Sequence, residues 1–446
     1  MEHPAPSGDE IAVSGRALAV IALVATISGL LTGVVGAAFR IFLLQATAAR
    51  SVVIDWSRQW PLWGWVAPVL LAAALVALAA WLVQRFAPLA AGSGVQHVEA
   101  VMHGEAAPAP LAVLPVKFVG GVLAIGSGLA LGREGPTVQL GATIGTRIAQ
   151  RAGLSEDDVR LIQGAAAGAG LGVAFNTPLG GIAFVFEELS RRFTTRLVVA
   201  TLAACAAAVL VARAILGDAV DFTVIDPPEP DLLTVITCVG LGILLGALGA
   251  AYNQTIIAFL DGAAALHRVP VSVRAAIIGG VVGLIAWFEP NLVGGGDPLI
   301  QAVLDTQIAI PMMLALLAAR WVLGPLSYAA QTPGGLFAPL LVIGAVVGAI
   351  FAQVAGMLVP GLPLSPTMGA LVGMAAFFTG VVRAPFTGAL VVLGMTGTMT
   401  PLIPILAASV AATIVPQMLG NAPIYDTLRA RMPHLAAPET TPPPAP

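Results

Sequence analysis

The chain has 446 residues, of which 58% are hydrophobic and only 10% are charged, and its formal net charge is −3. Soluble globular proteins carry about 25% charged residues, so these values exclude a soluble fold of this length and a nucleic-acid-binding protein. The two cysteines exclude a disulfide scaffold; Cys205 and Cys238 lie in apolar stretches and are expected to be buried, unpaired thiols. The composition indicates a polytopic protein of the lipid bilayer.

The predicted transmembrane helices follow an N-terminal segment, residues 1–16, which begins with an acidic, proline-containing stretch and lacks the basic region of a signal peptide. A membrane-spanning helix needs about 20 apolar residues. Three uncharged runs are long enough to cross as single helices: Ala17–Phe39, Gln59–Gln84 and Leu232–Leu260. The only lysine, Lys117, is attributed to the base composition of the gene rather than to a function.

The longest uncharged run, Trp321–Val382, is too long for one helix. We expect it to be broken at Pro325, at Pro333–Gly335, at Pro339 and between Pro360 and Pro366. Non-helical backbone at membrane depth persists only where it is buried in protein or lines an aqueous cavity. The breaks therefore predict helices that end midway and present backbone N–H groups to an ion. The alternative is a set of ordinary turns at the membrane surface.

Segments with matching glycine and proline spacing indicate an internal repeat. Leu131–Ala149 resembles Pro333–Ala352, and Gly164–Gly180 resembles Gly373–Gly388. Two related halves of a membrane protein favour an inverted-repeat transporter, whose binding site lies near the middle of the membrane.

Basic residues predict the orientation of these halves. Arginines cluster around Arg147–Arg160, Arg191–Arg196 and Arg429–Arg431, whereas the joining segment 218–231 contains four aspartates, one glutamate and no basic residue. Because cytoplasmic loops are enriched in basic residues, both termini are placed in the cytoplasm and the joining segment outside. The predicted organisation is an N-terminal segment (1–16), a first membrane repeat (17–217), an external linker (218–231), a second membrane repeat (232–432) and a disordered cytoplasmic tail (433–446).

Three glycine-rich motifs interrupt the apolar sequence: Gly92–Gly94, Gly132–Pro136 and Gly334–Pro339. Glycine lets the backbone approach an ion, and a proline after it starts a helix whose N-terminal amides are free. Helix N-termini aimed at one point attract an anion through partial positive charges. Because they carry no full positive charge, they do not prevent its release. Each motif by itself is also compatible with packing glycines.

Two acids stand out at membrane depth. A carboxylate inside the membrane is costly and marks a functional site, and Glu134 has apolar residues on both flanks. It is interpreted as a protonatable gate, with a structural ion pair to Arg133 as the alternative. Glu188, next to Glu187 at the end of an apolar run, is either a solvated helix cap or a proton relay.

The stretch PVKFVGGVLAIGSGLALGREGPTVQLGATIG (Pro115–Gly145), together with GGLFAP and the late Tyr425, resembles the CLC family of chloride channels and chloride/proton exchangers. The similarity extends from about Ala17 to Met432. It implies an all-helical fold of two inverted halves built from tilted, often partial helices. It also implies a homodimer with one pore in each subunit.

The resemblance assigns roles to eight residues. Ser93 and Tyr425 would donate hydroxyl groups to a central anion, and the amides of Leu336 and Phe337 would complete that site. Amides around Arg133 to Gly135 would serve an external anion. Glu134 matches the external gating glutamate of the family, and Glu188 matches the internal proton-transfer glutamate of its exchangers.

One motif departs from the family. Its first motif normally ends Gly-Ile-Pro, whereas Val95 and Gln96 follow Gly94 here. Ser93 favours chloride, because nitrate-preferring relatives resemble this motif with proline in its place; Gln96 leaves the anion selectivity open.

The function implied is an electrogenic chloride/proton antiporter of the bacterial inner membrane, without a cofactor. The alternatives are a passive chloride channel and an exchanger with nitrate or fluoride selectivity. An intramembrane hydrolase using Ser93 with His97 or His103 is disfavoured because the chain has no G-x-S-x-G elbow. A non-transporting scaffold would have no reason to keep two costly acids.

Overall fold

A computed structural model describes residues 15–224, 229–306, 308–359, 361–362 and 364–432. Most of the predicted N-terminal segment and the predicted tail, 433–446, lie outside these ranges. Within them the named elements are helices. The first half contains α1 (Gly15–Ser57), α2 (Val66–Phe86), α3 (Val95–Met102), α4 (Val113–Gly126), α5 (Glu134–Arg151), α6 (Glu156–Ala174), α7 (Pro178–Phe184) and α8 (Thr195–Leu216).

The second half repeats this series. It contains α9 (Leu232–Ala265), α10 (Val271–Phe288), α11 (Asp297–Asp305), α12 (Ile310–Tyr328), α13 (Phe337–Leu358), α14 (Pro366–Val382), α15 (Pro385–Thr396) and α16 (Leu402–Met418), followed by α17 (Ile424–Ala430). In each half the fifth helix packs on the sixth and the first on the eighth. The short helices α3 and α11 both begin after a left-handed glycine, Gly94 (φ 84°) and Gly296 (φ 101°). The two inverted-topology repeats of tilted and partial helices are confirmed; the predicted residue boundaries of the repeats stay a prediction.

Among the described residues, seven helices are long and apolar enough to cross a membrane: α1, α2, α8, α9, α10, α12 and α13. Helix α1 has 43 residues, which corresponds to about 65 Å, or roughly twice the hydrocarbon thickness of a bilayer. It is longer than the predicted Ala17–Phe39 because Arg40 stays helical and pairs with Asp221. Helices such as α3, α7 and α11 are too short to span.

One of the predicted helix breaks is wrong, because Pro325 lies inside α12. Pro339 is the third residue of α13, in agreement with the helix start predicted from the Gly334–Pro339 motif. A proline in the first turn removes an N–H that has no partner within the helix, so Pro339 helps to start α13 instead of ending a helix. The break falls between Tyr328 and Phe337, at the glycine-rich motif. The expected break at Pro360 lies outside the described residues.

Small residues bring the central helices into close contact. A Cβ atom on Gly141 of α5 would lie 2.2 Å from the Ala166 oxygen of α6, and one on Gly348 of α13 would lie 1.9 Å from the Gly369 oxygen of α14. Membrane helices pack tightly through such residues because lipid supplies little hydrophobic driving force between them. Cys205 and Cys238 are buried and unpaired, as predicted.

Candidate anion and proton site

The three glycine-rich motifs meet through paired backbone hydrogen bonds. Gly92 donates to the Thr332 oxygen, and Gly334 donates to the Gly92 oxygen, each at 3.0 Å. Gly132 and Gly335 exchange two hydrogen bonds of 2.8 Å. Loops from both halves of the chain are therefore joined, and the helices α3, α5 and α13 begin next to one another.

Helices α5 and α13 start in the same way. Each begins two residues before a proline, at Glu134 before Pro136 and at Phe337 before Pro339. The first N–H groups of a helix have no acceptor within the helix, and the helix dipole gives them partial positive charge. Two such starts beside each other form an anion-binding position made of neutral backbone groups.

Glu134 occupies this position. Its Oε1 accepts hydrogen bonds from the backbone nitrogens of Phe337 at 2.7 Å and of Ala338 at 3.2 Å, and the residue is buried. A Cβ atom on Gly132 would lie 2.1 Å from the carboxylate oxygens, and one on Gly335 would lie 2.5 Å from Oε1. Both glycines are therefore required where the carboxylate lies between the loops.

Arg133 points away from Glu134. Its Nη1 and Nη2 atoms pair with Asp297 at 3.1 Å and with Asp221 at 3.2 Å, and its Nε donates to the Ala174 oxygen at 2.9 Å. The alternative of a structural Arg133–Glu134 ion pair is wrong, because two other carboxylates take the guanidinium. Arg133 and Asp297 border a cavity of about 280 Å³ that is also lined by Gly132 and Ala338.

Ser93 and Tyr425 are fully buried beside this position. The Ser93 hydroxyl forms no hydrogen bond to a described residue, and the Tyr425 phenol lies beside it. A Cβ atom on Gly135 would lie 2.6 Å from Ser93 Oγ, so the start of α5 passes directly over this hydroxyl. The structure thus brings together Ser93, Tyr425, Gly135, Phe337 and Glu134, which are far apart in sequence.

The amides at the start of α13 differ in part from the expectation. Phe337 was assigned with Leu336 to a central anion, whereas its N–H donates to the Glu134 carboxylate together with that of Ala338. Leu336 immediately precedes α13. Sequence reasoning missed Ala338, although the proline that follows it marks it as a residue of the first turn.

Two residues that the sequence did not assign hold the Ser93 loop. Lys117 is fully buried, and its Nζ donates to the Gly92 oxygen at 2.8 Å and to the Ala90 oxygen at 3.2 Å. The Tyr328 hydroxyl accepts from the Ser93 nitrogen at 3.3 Å. Attributing Lys117 to gene composition was therefore wrong: a buried ammonium group needs such oxygen partners, and here they are in the first motif.

Glu188 and Glu187 lie at a π-helical turn, Val185–Leu189, that follows α7. Glu188 is buried and its Oε1 has no hydrogen-bond partner among the described residues. Glu187 accepts from the nitrogens of Phe386 at 3.0 Å and Thr387 at 2.7 Å at the start of α15. The helix-cap interpretation therefore applies to Glu187, and a solvated cap is wrong for Glu188. Such turns interrupt helices frequently at functional sites.

A second buried acid, Glu99, lies beside Glu188 and was missed. Its carboxylate pairs with Arg429 at 2.9 Å and with Arg191 at 3.4 Å, and Arg191 also pairs with Asp426 at 3.1 Å. These pairs tie α3, which follows Ser93, to α17, which carries Tyr425. The signal in the sequence was an acid in the short apolar stretch VQHVEAVM.

The model of the voltage gated chloride channel family matches residues 74–417, a range that includes all three glycine-rich motifs and Glu188. The chain belongs to the CLC family. The resemblance inferred from the motifs is thereby confirmed.

Relatives cover nearly all of this CLC protein. The "H(+)/Cl(-) exchange transporter ClcA" of Vibrio campbellii is 37% identical over 423 residues, which span 92% of this chain and 89% of the relative. The structure of a slow cyanobacterial Cl⁻/H⁺ antiporter is similar with a TM-score of 0.87 at 31% identity, covering 92% of this chain and 97% of the other. A CLC-type fluoride/proton antiporter matches with a TM-score of 0.75 at 24% identity, covering 93% and 98% of the two chains, which shows a common fold alone.

Proposed function

We propose that this CLC protein is an electrogenic chloride/proton antiporter of a bacterial inner membrane, with an anion pathway gated by Glu134. The observation that carries the proposal is the Glu134 carboxylate on the amides of Phe337 and Ala338. A carboxylate held there is itself a bound anion, so chloride and ionised Glu134 compete for the same donors. The names of the relatives support the same exchange.

Protonation couples the two ions. Protonated Glu134 loses its charge-assisted hydrogen bonds to the amides and leaves them to chloride, with the amides of Arg133 to Gly135 on the outer side. Ser93, Tyr425 and the amide of Leu336 would hold the next anion inward. Because Arg133 is paired with two aspartates, the bound anion faces mainly neutral donors and can leave again.

Glu188 is proposed as the internal proton-transfer residue. It is a buried acid, and the Tyr425 phenol lies close enough to both Glu134 and Glu188 to interact electrostatically with each. We assign the proton path to these two acids, with water between them. Glu99, Arg191 and Arg429 form the charged surroundings of its inner end.

The test is flux in proteoliposomes that contain the purified protein. An imposed chloride gradient should drive proton movement against a pH gradient, and the reversal potential should depend on both ions. A reversal potential that ignores pH identifies the passive channel instead. Replacing chloride with nitrate or fluoride in the same assay separates the exchangers of other selectivity.

The assembly and orientation are proposals of the same kind. We propose a homodimer with one pathway in each subunit, cytoplasmic termini and an external 218–231 segment. Exposed tryptophans in the last turn of α1 and in the segment before α2, at Trp56, Trp60, Trp63 and Trp65, support a membrane interface at that end of α1. Cross-linking in native membranes tests the dimer, and accessibility of single introduced cysteines to an impermeant reagent tests the orientation.

A further inference from the structure

Gln96 is the position at which the first motif departs from the family, and it lies beside a second tyrosine of the anion site, Tyr328. Gln96 is the second residue of α3, three residues after Ser93. Tyr328 ends α12 and is buried, and its hydroxyl accepts the Ser93 N–H at 3.3 Å. A Cβ atom on Gly92 would lie 2.8 Å from the same hydroxyl oxygen. The Tyr328 hydroxyl therefore lies against the backbone that presents Ser93.

A phenol that accepts one hydrogen bond still has a proton to donate. The Gln96 amide lies within reach of the Tyr328 hydroxyl, and the Gln96 Oε1 atom is buried without a well-formed partner among the described residues. Buried polar groups are nearly always hydrogen-bonded. A half-turn of the Gln96 amide, which exchanges its nitrogen and oxygen, places the Oε1 acceptor against the Tyr328 hydroxyl proton.

We propose that Gln96 is a specificity-determining residue of the central anion site and that it acts through Tyr328, by holding the phenol proton away from the anion. The proposal rests on the proposed anion pathway. Proline, the usual family residue at this position, has no side-chain acceptor. With Gln96 present, only the hydroxyl groups of Ser93 and Tyr425 donate hydrogen bonds to the anion next to Ser93.

Removing the acceptor should turn Tyr328 toward the anion as a third hydroxyl donor. A compact anion gains more from an added donor than one whose charge is spread over three oxygens, because the interaction energy falls with distance from the charge. Loss of Gln96 should therefore strengthen chloride binding and increase the preference for chloride over nitrate.

The experiment is calorimetric titration of the purified protein with chloride and, separately, with nitrate. Gln96→Ala should raise the chloride affinity by about tenfold, as expected for one added hydrogen bond to an ion, and should raise the chloride-to-nitrate affinity ratio. In a Tyr328→Phe background the same substitution should change neither value. An equal shift in both backgrounds, or no shift in either, overturns the proposal.

Three controls separate this role from general damage. Gln96→Met keeps the volume and removes the acceptor, so it should act like Gln96→Ala even if Tyr328→Phe does not fold; an unchanged affinity in this variant contradicts the proposal. Gln163→Ala removes another buried glutamine, one that accepts from Thr146 and donates to the Val98 oxygen but does not contact Tyr328, and should leave the affinity ratio unchanged. Chloride-driven proton uptake by the wild type tests the antiporter separately, so either hypothesis can fail alone.

Discussion

The Oε1 atom of Glu134 lies 2.7 Å from the backbone nitrogen of Phe337, so a carboxylate from the first repeat occupies the start of a helix in the second. The side chain that is expected to gate the pathway is thus bound by the same kind of group that would bind the transported ion. Competition between a tethered and a diffusing anion is a physical basis for exchange, because only a proton removes the tethered charge.

Glu134→Gln should separate the two fluxes. The amide keeps an oxygen for the Phe337 and Ala338 N–H groups but carries neither charge nor a titratable proton. We expect chloride flux to continue and chloride-driven proton uptake to fall to the level of empty liposomes. Proton uptake that persists in this variant would contradict the assignment of Glu134.

Glu188→Gln should also abolish proton uptake, since the proton would lose its inner acceptor, while anion binding is retained. Glu187→Gln is the matched control, because Glu187 is adjacent and caps α15. The control should destabilise the fold by about 1–2 kcal/mol and leave the coupling ratio intact. Equal loss of coupling in both variants would show that Glu188 has no special role.

Asp297→Asn should change the approach of anions from the side of the 280 Å³ cavity. Arg133 would keep only Asp221 as its carboxylate partner, so the cavity would become more positive. We expect the chloride concentration for half-maximal flux to fall by about threefold at low salt, with the difference disappearing near 1 M salt. Asp305→Asn, at the exposed other end of α11, is the control and should have no such effect.

Gly335→Ala should disturb the carboxylate directly. The added methyl would lie 2.5 Å from Glu134 Oε1 and 2.9 Å from the Gly135 nitrogen, distances that require the loops to separate. We expect a loss of about 1–3 kcal/mol in the free energy of unfolding, together with altered pH dependence of chloride flux. Gly262→Ala, which meets nothing within 4 Å, should be neutral or slightly stabilising; equal stability of both variants would refute the argument.

Lys117→Met should loosen the Ser93 loop. The substitution leaves the buried Ala90 oxygen without a donor and the Gly92 oxygen with only the Gly334 N–H, at a cost of about 1–3 kcal/mol for the unsatisfied Ala90 group. Thermal unfolding in detergent measures the stability, and chloride calorimetry should show weaker binding. A variant that is destabilised but binds chloride with unchanged affinity would limit Lys117 to a general structural role.

Features that depend only on neighbouring residues in the chain were predictable from the sequence. Glycine before proline located the helix starts at α5 and α13, and an isolated acid in apolar sequence located Glu134. The partners of these groups were harder to predict, because they depend on contacts between distant residues: Arg133 pairs with Asp221 and Asp297 rather than with its neighbour Glu134. Tyr328, Lys117 and Glu99 were missed for the same reason, since each acts on a loop or helix from elsewhere in the chain.

The backbone pairs that join Gly92 to Thr332 and Gly132 to Gly335 have a consequence for biosynthesis. About 240 residues separate the members of the first pair, so the first repeat leaves the ribosome long before its partner loop exists. Contacts of such sequence separation form late and slowly. Until the second repeat is inserted, Glu134 has no α13 to bind, and the nascent first repeat must hold a costly acid in the membrane without it. The transport site is therefore among the last parts of the molecule to form.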